Sequence, residues 1–510
     1  MINVLSMLEN SAQRTPGKTA VIEGESSLSY SQLCEKSRRI GTALAGLVSM
    51  RAPVGVFMEK GINALCSFFG IVYAGGFYSM YNTELPDKRL QQIQSVSGAG
   101  VIITVPELME RAEQLFPQAR LFTIDELLRE EYDEELLCGI RARMIDTDPL
   151  YLNFTSGSTG TPKGIAVAHR SVIDFIGCFT DIFSITEEDI IANQAPFDFD
   201  VSVKDIYSAM YKGATLVIVP RQLFSRPVEL IELLCERRVT TMIWAVSALC
   251  LVSAFHALDY KIPQTVNKVL FSGEVMPYKH LCEWRSKLPG AMLVNLYGPT
   301  EITCNCTYHI LDKDRDYSEY IPIGRPFPNE DVFLLDSENR RITEKGIKGM
   351  IVVRGTALAL GYYGMAEKTN ECFVQDPLNS SYPERVYLTG DLGMYDDNGE
   401  LRFCGRTDNQ IKYMGHRIEL EEVERAMSAI DGVERCICVF DEPKQRLKGY
   451  YVGTIDKNEL YSVMKKSMPA FMIPGYLRQI EQVCLSKNGK LDRKKTIEMI
   501  GGVKGAKGDK

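Results

Sequence analysis

Up to about residue 320, short apolar runs alternate with longer amphipathic stretches. Val101-Ile102-Ile103-Thr104 reads as a strand, and Pro227 to Arg238 spaces its apolar residues as a helix does. Thr241-Met242-Ile243-Trp244 reads as the next strand, and Val269-Leu270-Phe271, closed by Gly273, as another. Buried strands separated by amphipathic helices predict parallel βαβ layers. Between about 321 and 405 the texture changes. Val332-Phe333-Leu334-Leu335 and Met350-Ile351-Val352-Val353 are punctuated by the turn signals Asp336 to Asn339 and Asp397-Asn398-Gly399, with helical periodicity nearly absent. That pattern predicts a small antiparallel, β-barrel-like region. After Gly405 comes a compact α+β pattern: a hairpin over Gln410 to Leu420, a helix over Glu421 to Ile430 and a strand over Cys436 to Phe440. The polar run Gly405-Arg406-Thr407-Asp408 marks the boundary. An α/β fold is therefore predicted, with a large N-terminal domain over 1–407, a small α+β domain over 408–500 and a frayed Gly/Lys-rich tail over 501–510.

Composition narrows the class. At 510 residues the chain is too long for one ordinary domain, and 45% hydrophobic with 24% charged residues is the balance of a globular protein. With 58 basic against 66 acidic residues the net charge is −8, which disfavours charge-driven nucleic-acid binding. No apolar run approaches the roughly 20 residues a membrane span needs, and the first residues lack the basic-then-apolar order of a secretory signal. The 14 cysteines are scattered. The C-x-C pairs Cys304/Cys306 and Cys436/Cys438 have no second pair at zinc-site spacing, so reduced, mostly buried thiols in a cytoplasmic protein are expected.

The densest chemistry lies in Thr155-Ser156-Gly157-Ser158-Thr159-Gly160-Thr161-Pro162-Lys163-Gly164, directly after an apolar strand signal. Glycines let backbone N–H groups approach an anion, hydroxyls add donors, and Lys163 adds positive charge, a set suited to a polyphosphate. The Walker spacing fails, because Pro162 precedes Lys163 and glycine follows it. On composition alone a mobile Ser/Gly surface loop remains the alternative. Four further segments bear on the choice. Asn295-Leu296-Tyr297-Gly298-Pro299-Thr300-Glu301 presents a ring, a hydroxyl and a carboxylate together. Tyr387-Leu388-Thr389-Gly390-Asp391 places an acid suited to ribose hydroxyls. Gly405 to Asp408 brings Arg406, and Lys487 to Arg493 a turn with Lys490 at its tip. Taken singly, each is also an ordinary turn; their joint order is not.

In that order, from Leu28-Ser29-Tyr30 to Arg493, the chain resembles the adenylate-forming superfamily. Within it the resemblance is to amino-acid adenylation domains of nonribosomal peptide synthetases and to D-alanine–carrier protein ligases. The resemblance implies ATP and Mg²⁺ as cofactors and a mobile C-terminal lid domain. It implies that Thr155, Ser156, Gly157, Ser158, Thr159, Gly160 and Lys163 grip the β- and γ-phosphates, that Tyr297 stacks on adenine, and that Asn295 belongs to the same cofactor site. Thr300 would touch the α-phosphate, Glu301 would ligate Mg²⁺, and Asp391 with Arg406 would serve the ribose. Lys490 would reach the carboxylate and the α-phosphate during catalysis, where positive charge must converge as negative charge shifts onto pyrophosphate. The substrate carboxylate is itself the nucleophile, so no protein nucleophile is expected.

Asp200, in Phe197-Asp198-Phe199-Asp200, matches the aspartate that pairs with the substrate α-ammonium in amino-acid-activating members. A carboxylate in such a pocket makes sense mainly for a ligand that brings a cation. The resemblance extends the pocket to Val201, Lys204, Ile243, Leu270, Ser272, Leu296, Cys304 and Asn305. Phe271 to Met276 is close to the D-alanine ligases, yet Ser272 stands where they carry Cys and Lys204 where they carry an apolar residue. Lys204 therefore either points to solvent or meets an anionic or carbonyl-bearing substrate side chain. D-alanine is one candidate. Departures in Gly346 to Val353, Ala357 to Tyr363, Tyr387 to Asp391 and Ala74 to Pro86 mark a divergent member. The implied cycle is adenylation followed by transfer to a phosphopantetheine thiol, with the small domain swinging about Asp408 to present the face around Gly415. With too few residues after Arg493 for a carrier domain, a separate acidic carrier protein is the expected partner and the enzyme a monomer. The competing class is an acyl- or aryl-CoA ligase using free coenzyme A, against which Asp200 speaks.

Overall fold

A computed structural model describes residues 2–157, 160–441, 444–484 and 493–502. The chain divides into two compact units: one of residues 1–83, 93–154 and 164–407, the other of 84–92, 155–163 and 408–510. The sequence reading assigned 84–92 and 155–163 to the domain over 1–407; by packing they group with the second unit. Among the described residues, no helix is long and apolar enough to cross a membrane.

The first unit is built on three sheets. In the nine-stranded sheet the strand order is Arg325–Pro326, Thr307–Ile310, Met292–Tyr297, Lys268–Ser272, Thr241–Ala245, Ile190–Asn193, Thr215–Ile218, Thr19–Glu23 and Ser26–Ser29. Its six central strands run parallel, and antiparallel strands close both edges. Ile190–Asn193 pairs with Thr215–Ile218 on one side and Thr241–Ala245 on the other, so the chain reverses its direction of travel across the sheet there. Crossovers leave in opposite directions at such a switch point and open a crevice beyond the carboxyl ends of the strands. The strand Ile190–Asn193 is followed by Phe197 to Asp200 and then by the helix Val201–Lys212.

A seven-stranded sheet carries Gly361–Tyr362, Lys163–Ala168, Pro149–Thr155, Phe77–Met80, Pro53–Phe57, Val101–Thr104 and Arg120–Thr123 in that order. Against it lies the helix Ile62–Tyr73, buried at all but one position, the pattern of a helix covered on every side. The six-stranded sheet of residues 330–406 is antiparallel, as its turn-punctuated pattern predicts. One helix, Ala366–Cys372, breaks that region; its single buried residue, Thr369, leaves no apolar period to read.

The second unit holds the hairpin Gln410–Tyr413/His416–Glu419, turned by Met414 and Gly415 at φ 53° and 80°. Two successive left-handed residues make the tight turn whose twist matches its strands. Leu420, Val423 and Met427 of the helix Leu420–Ser428 pack with Cys436, Cys438, Leu447 and Tyr451 of the sheet Val433–Asp441, Arg446–Gly453 and Tyr476–Gln479. The helix Arg493–Gly502 runs into the segment read as a frayed tail, whose residues 503–510 lie outside those described. All 14 cysteines are free thiols. Six are buried and seven half-buried, fewer buried than expected, because the scattered positions include helix flanks such as Cys178 and Cys282.

Candidate active site

Within the second unit the segment 155–163 is a tight loop. A Cβ on Gly157 would lie 1.9 Å from the Thr161 carbonyl oxygen, so only glycine fits. Gly160, at φ 85°, donates its N–H to Gly157 O at 2.8 Å. The loop's donors are turned onto acceptors. Gly157 N donates to Glu422 Oε2 at 3.1 Å, Lys163 Nζ to Glu419 Oε1 at 3.1 Å, and Ser156 Oγ to Arg417 O at 2.6 Å. Arg89 Nη1 supports the same Glu422 carboxylate at 2.9 Å. Burial pushes the Glu422 carboxyl above the usual range, and Arg89 and the Gly157 N–H pull it back. One backbone N–H and one ammonium of the loop are thus each turned onto a different carboxylate. Among the described residues Thr155 Oγ1 is buried without a hydrogen-bond partner. Ser158, Thr159 and Lys490 lie outside the described residues.

In the first unit, side chains of Met292–Tyr297 alternate between two faces. Tyr297 is buried, its hydroxyl donating to Asp391 Oδ2 at 2.5 Å. Antiparallel pairing sets Asp391 opposite Arg406, whose guanidinium bonds Asp391 Oδ1 and, at 3.2 Å, Thr389 O. Burial and the Asp391 carboxylate push the Tyr297 hydroxyl well above its ordinary pKa. Asn295 uses its amide N–H to clamp Pro322 O at 2.8 Å. Beyond the strand, Thr300–Ile302 is one short turn; Thr300 is half-buried, and Glu301 is fully buried with Oε1 accepting from the Tyr362 hydroxyl at 2.8 Å. Thr303 and Cys304 follow at φ 52° and 75°. A β-branched residue in the left-handed region is strained, and Thr303 is held there by its hydroxyl on Ala357 O at 2.7 Å. Gly298 permits the return of the chain: a Cβ there would lie 2.4 Å from Asn305 Cα.

Residues named for the side-chain pocket lie on the parallel strands of the nine-stranded sheet and on the helix that follows Asp200. Ile243 pairs with Leu270, and Ala245 with Ser272, so Ile243, Leu270 and Ser272 share one face; Leu270 pairs with Val294, which puts Leu296 on that face too. Ile243, Leu270 and Leu296 are buried in the same cluster as Val203 and Ile206 of the helix Val201–Lys212. Asp200 begins that helix without capping it through its side chain, and its carbonyl accepts from the Cys304 thiol at 3.1 Å. Val201 is half-buried. Burial and the Asp200 carboxylate push the Cys304 thiol far up, keeping it neutral.

Lys204 does not reach solvent. It is 1% exposed, and Nζ donates to Asn305 Oδ1 at 2.7 Å and Ser272 Oγ at 3.2 Å. The solvent-pointing alternative is thereby corrected: the helix face that carries Lys204 is the one packed on the sheet. Burial lowers its pKa, with Cys304, Asp200 and Asp205 acting against that.

Several supporting residues escaped the sequence reading. Lys60 Nζ donates to the carbonyls of Asn193, Gln194 and Ala195 at 3.3, 2.9 and 3.4 Å, pinning the end of the switch-point strand. Asn82 donates to both carboxylate oxygens of Asp198, and Phe197 packs on Phe68. Each lies more than 100 residues from its partner, so no local motif could reveal it; the Gly-Phe-Tyr pattern around Phe77 only marks the strand nearby.

Over residues 8–363 the chain matches the family described as AMP-binding enzyme. It belongs to that family. Zwittermicin A synthase ZmaJ of Bacillus cereus is 32% identical over 505 residues, spanning 96% of this chain and 94% of that protein. Surfactin synthase subunit 1 of Bacillus subtilis is 32% identical over 504 residues; the match takes in 96% of this chain but only 14% of that subunit's length. Among solved structures, that of IdnL1 superposes with a TM-score of 0.82 at 28% identity, covering 94% of this chain and 99% of that one. The α/β architecture is that of the family.

Proposed function

We propose that the chain activates an amino acid with ATP as an aminoacyl-adenylate and then hands the aminoacyl group to the phosphopantetheine thiol of a separate carrier protein. One observation carries the amino-acid reading: Asp200 begins the helix Val201–Lys212 against Cys304, which is buried in one cluster with Ile243, Leu270 and Leu296. A pocket that must admit a carboxylate nucleophile is poorly served by an anion unless the ligand also brings a cation. An α-ammonium is that cation.

In the first half-reaction a substrate carboxylate oxygen attacks the α-phosphorus. The bond from that phosphorus to the oxygen bridging to the β-phosphate breaks, and pyrophosphate leaves. The donors of Thr155, Ser156, Gly157 and Lys163 would hold the departing phosphates, joined by Ser158 and Thr159. Tyr297 and Asp391 with Arg406 would hold the nucleoside, and Thr300 the α-phosphate. Lys490 would supply positive charge where charge shifts. Glu301 fits Mg²⁺ as a single buried carboxylate, since this ion takes one or two carboxylates and completes its shell with water and phosphate oxygens. Among the described residues no cluster of three or more His, Cys, Asp or Glu suggests a fuller protein cage. Bound there, Mg²⁺ would neutralise phosphate charge. In the second half-reaction the thiol sulfur attacks the carbonyl carbon, the acyl–oxygen bond to AMP breaks, and the thiol proton is released.

ATP–pyrophosphate exchange across L- and D-amino acids tests the first half. At least one should support exchange, and Asp200→Asn should lower its kcat/KM by roughly 100-fold, the scale of a lost charge-assisted contact. Exchange driven only by acids lacking an amino group, followed by transfer to free coenzyme A, would instead establish the CoA-ligase alternative. Transfer of radiolabelled aminoacyl groups to holo-carrier protein tests the second half.

A further inference from the structure

Lys204 follows Asp200 by four residues, which sets the two side chains about one helical turn apart on the same face of Val201–Lys212. The face carries an anion at its mouth and a cation deeper in. The Lys204 ammonium is given two neutral acceptors, Asn305 Oδ1 and Ser272 Oγ, and among the described residues no carboxylate within hydrogen-bond distance. Cys304 beside it is a neutral thiol. The neighbouring Asp205 is turned to Asn193, which donates to its Oδ2 at 2.7 Å, and burial pushes that carboxyl upward toward its neutral form. A buried cation with only neutral partners carries a large desolvation cost. A second feature points the same way. The Tyr151 hydroxyl, on a fully buried residue beside Cys304 and Asp200, has no hydrogen-bond partner, and neither has the buried Ser208 Oγ one turn beyond Lys204. The buried helix face thus holds a cation on two neutral acceptors, with an unpartnered hydroxyl near Asp200 and another one turn along the helix.

Resting on the amino-acid adenylation reading, we propose that this pocket selects an amino acid whose side chain ends in a carboxylate, with Lys204 as the specificity-determining residue and Asn305 and Ser272 orienting its ammonium. The ligand would then complement both ends of the helix face, its α-ammonium toward Asp200 and its side-chain anion toward Lys204.

The test uses the full chain and pyrophosphate exchange with both enantiomers of aspartate, glutamate and 2-aminoadipate, beside asparagine, glutamine and alanine. The wild-type enzyme should favour one carboxylate-bearing amino acid by at least about tenfold in kcat/KM over its amide isostere, the scale set by a charge-assisted contact. Lys204→Met should lower that value at least about tenfold and narrow the preference. A wild-type preference for alanine or for an amide over every acid would overturn the assignment while leaving amino-acid activation standing. Exchange with non-amino acids alone would overturn both, so the two failures are distinguishable. Thermal unfolding with and without ligand adds a readout independent of turnover. The favoured amino acid should raise the wild-type midpoint and lose most of that shift in Lys204→Met, whereas an equal shift in the two proteins would overturn the proposal.

Discussion

Asp198 illustrates how the pocket loop is held by groups that sequence alone leaves unconnected. Burial among protein groups pushes its carboxyl up to about 6, while Asn82 and Lys60 pull against that shift. A carboxyl whose folded pKa exceeds its unfolded value binds its proton more tightly in the native state. Its stabilising effect is complete below about pH 4 and is lost as pH rises to about 6. Asp198→Asn should therefore gain stability relative to wild type across that window, by roughly 1–2 kcal/mol once partial solvent access is allowed for, and then level off. Urea melts at pH 4, 5, 6 and 7 measure this; a constant difference across the series would contradict it. At this scale the sequence was informative for residues that act within one motif. Asp391 and Tyr297 were singled out separately, but their hydrogen bond depends on two strands nearly 100 residues apart. Lys60 carried no signal, because its partners, three backbone carbonyls and the Asn193 Oδ1, all lie more than 130 residues away.

Among elements, the segment from Gly298 to Cys306 shows backbone geometry setting the pocket. Cys306 N donates to Tyr297 O at 2.8 Å, and the intervening chain folds back so closely that Gly298 meets Asn305. Gly298→Ala forces backbone against backbone, and overpacking of this kind costs roughly 1–3 kcal/mol. The variant should show a lower urea midpoint and a raised amino-acid KM. Gly290→Ala, with open space where its Cβ would go, should be nearly neutral in both measurements. The loop of the second unit allows a parallel prediction. Glu419→Gln weakens the charge-assisted bond to the buried Lys163 ammonium. Unliganded protein should lose roughly 1–3 kcal/mol, and MgATP should restore more than it adds to wild type, read as a larger thermal shift on ligand addition. An equal or smaller shift would mean that polyphosphate does not use Lys163.

Parallel strands were the most readable elements: Val101–Thr104 emerges with the bounds its apolar run suggests, and Thr241–Ala245 differs by one residue. Continuous burial on both faces makes such runs conspicuous. The two-residue strand Gly361–Tyr362 was invisible because it joins the seven-stranded sheet, away from the antiparallel region around it in sequence.

For the molecule as a whole, the junction between Thr407 and Asp408 separates residues of the two compact units. If the small domain must change its presentation between half-reactions, Asp408 is where backbone freedom matters. Asp408→Pro fixes φ and also restricts Thr407. Pyrophosphate exchange should stay within about threefold of wild type, while aminoacylation of the carrier falls more than tenfold, a split expected for a conformational step. Equal loss in both assays would remove the hinge. Glu419 and Glu422 already occupy the donors of the glycine loop. In the unliganded chain two carboxylates thus sit where these donors point. Any polyanion that binds this loop must first displace the tethered carboxylates, a cost that falls alike on a ligand entering and on a product returning.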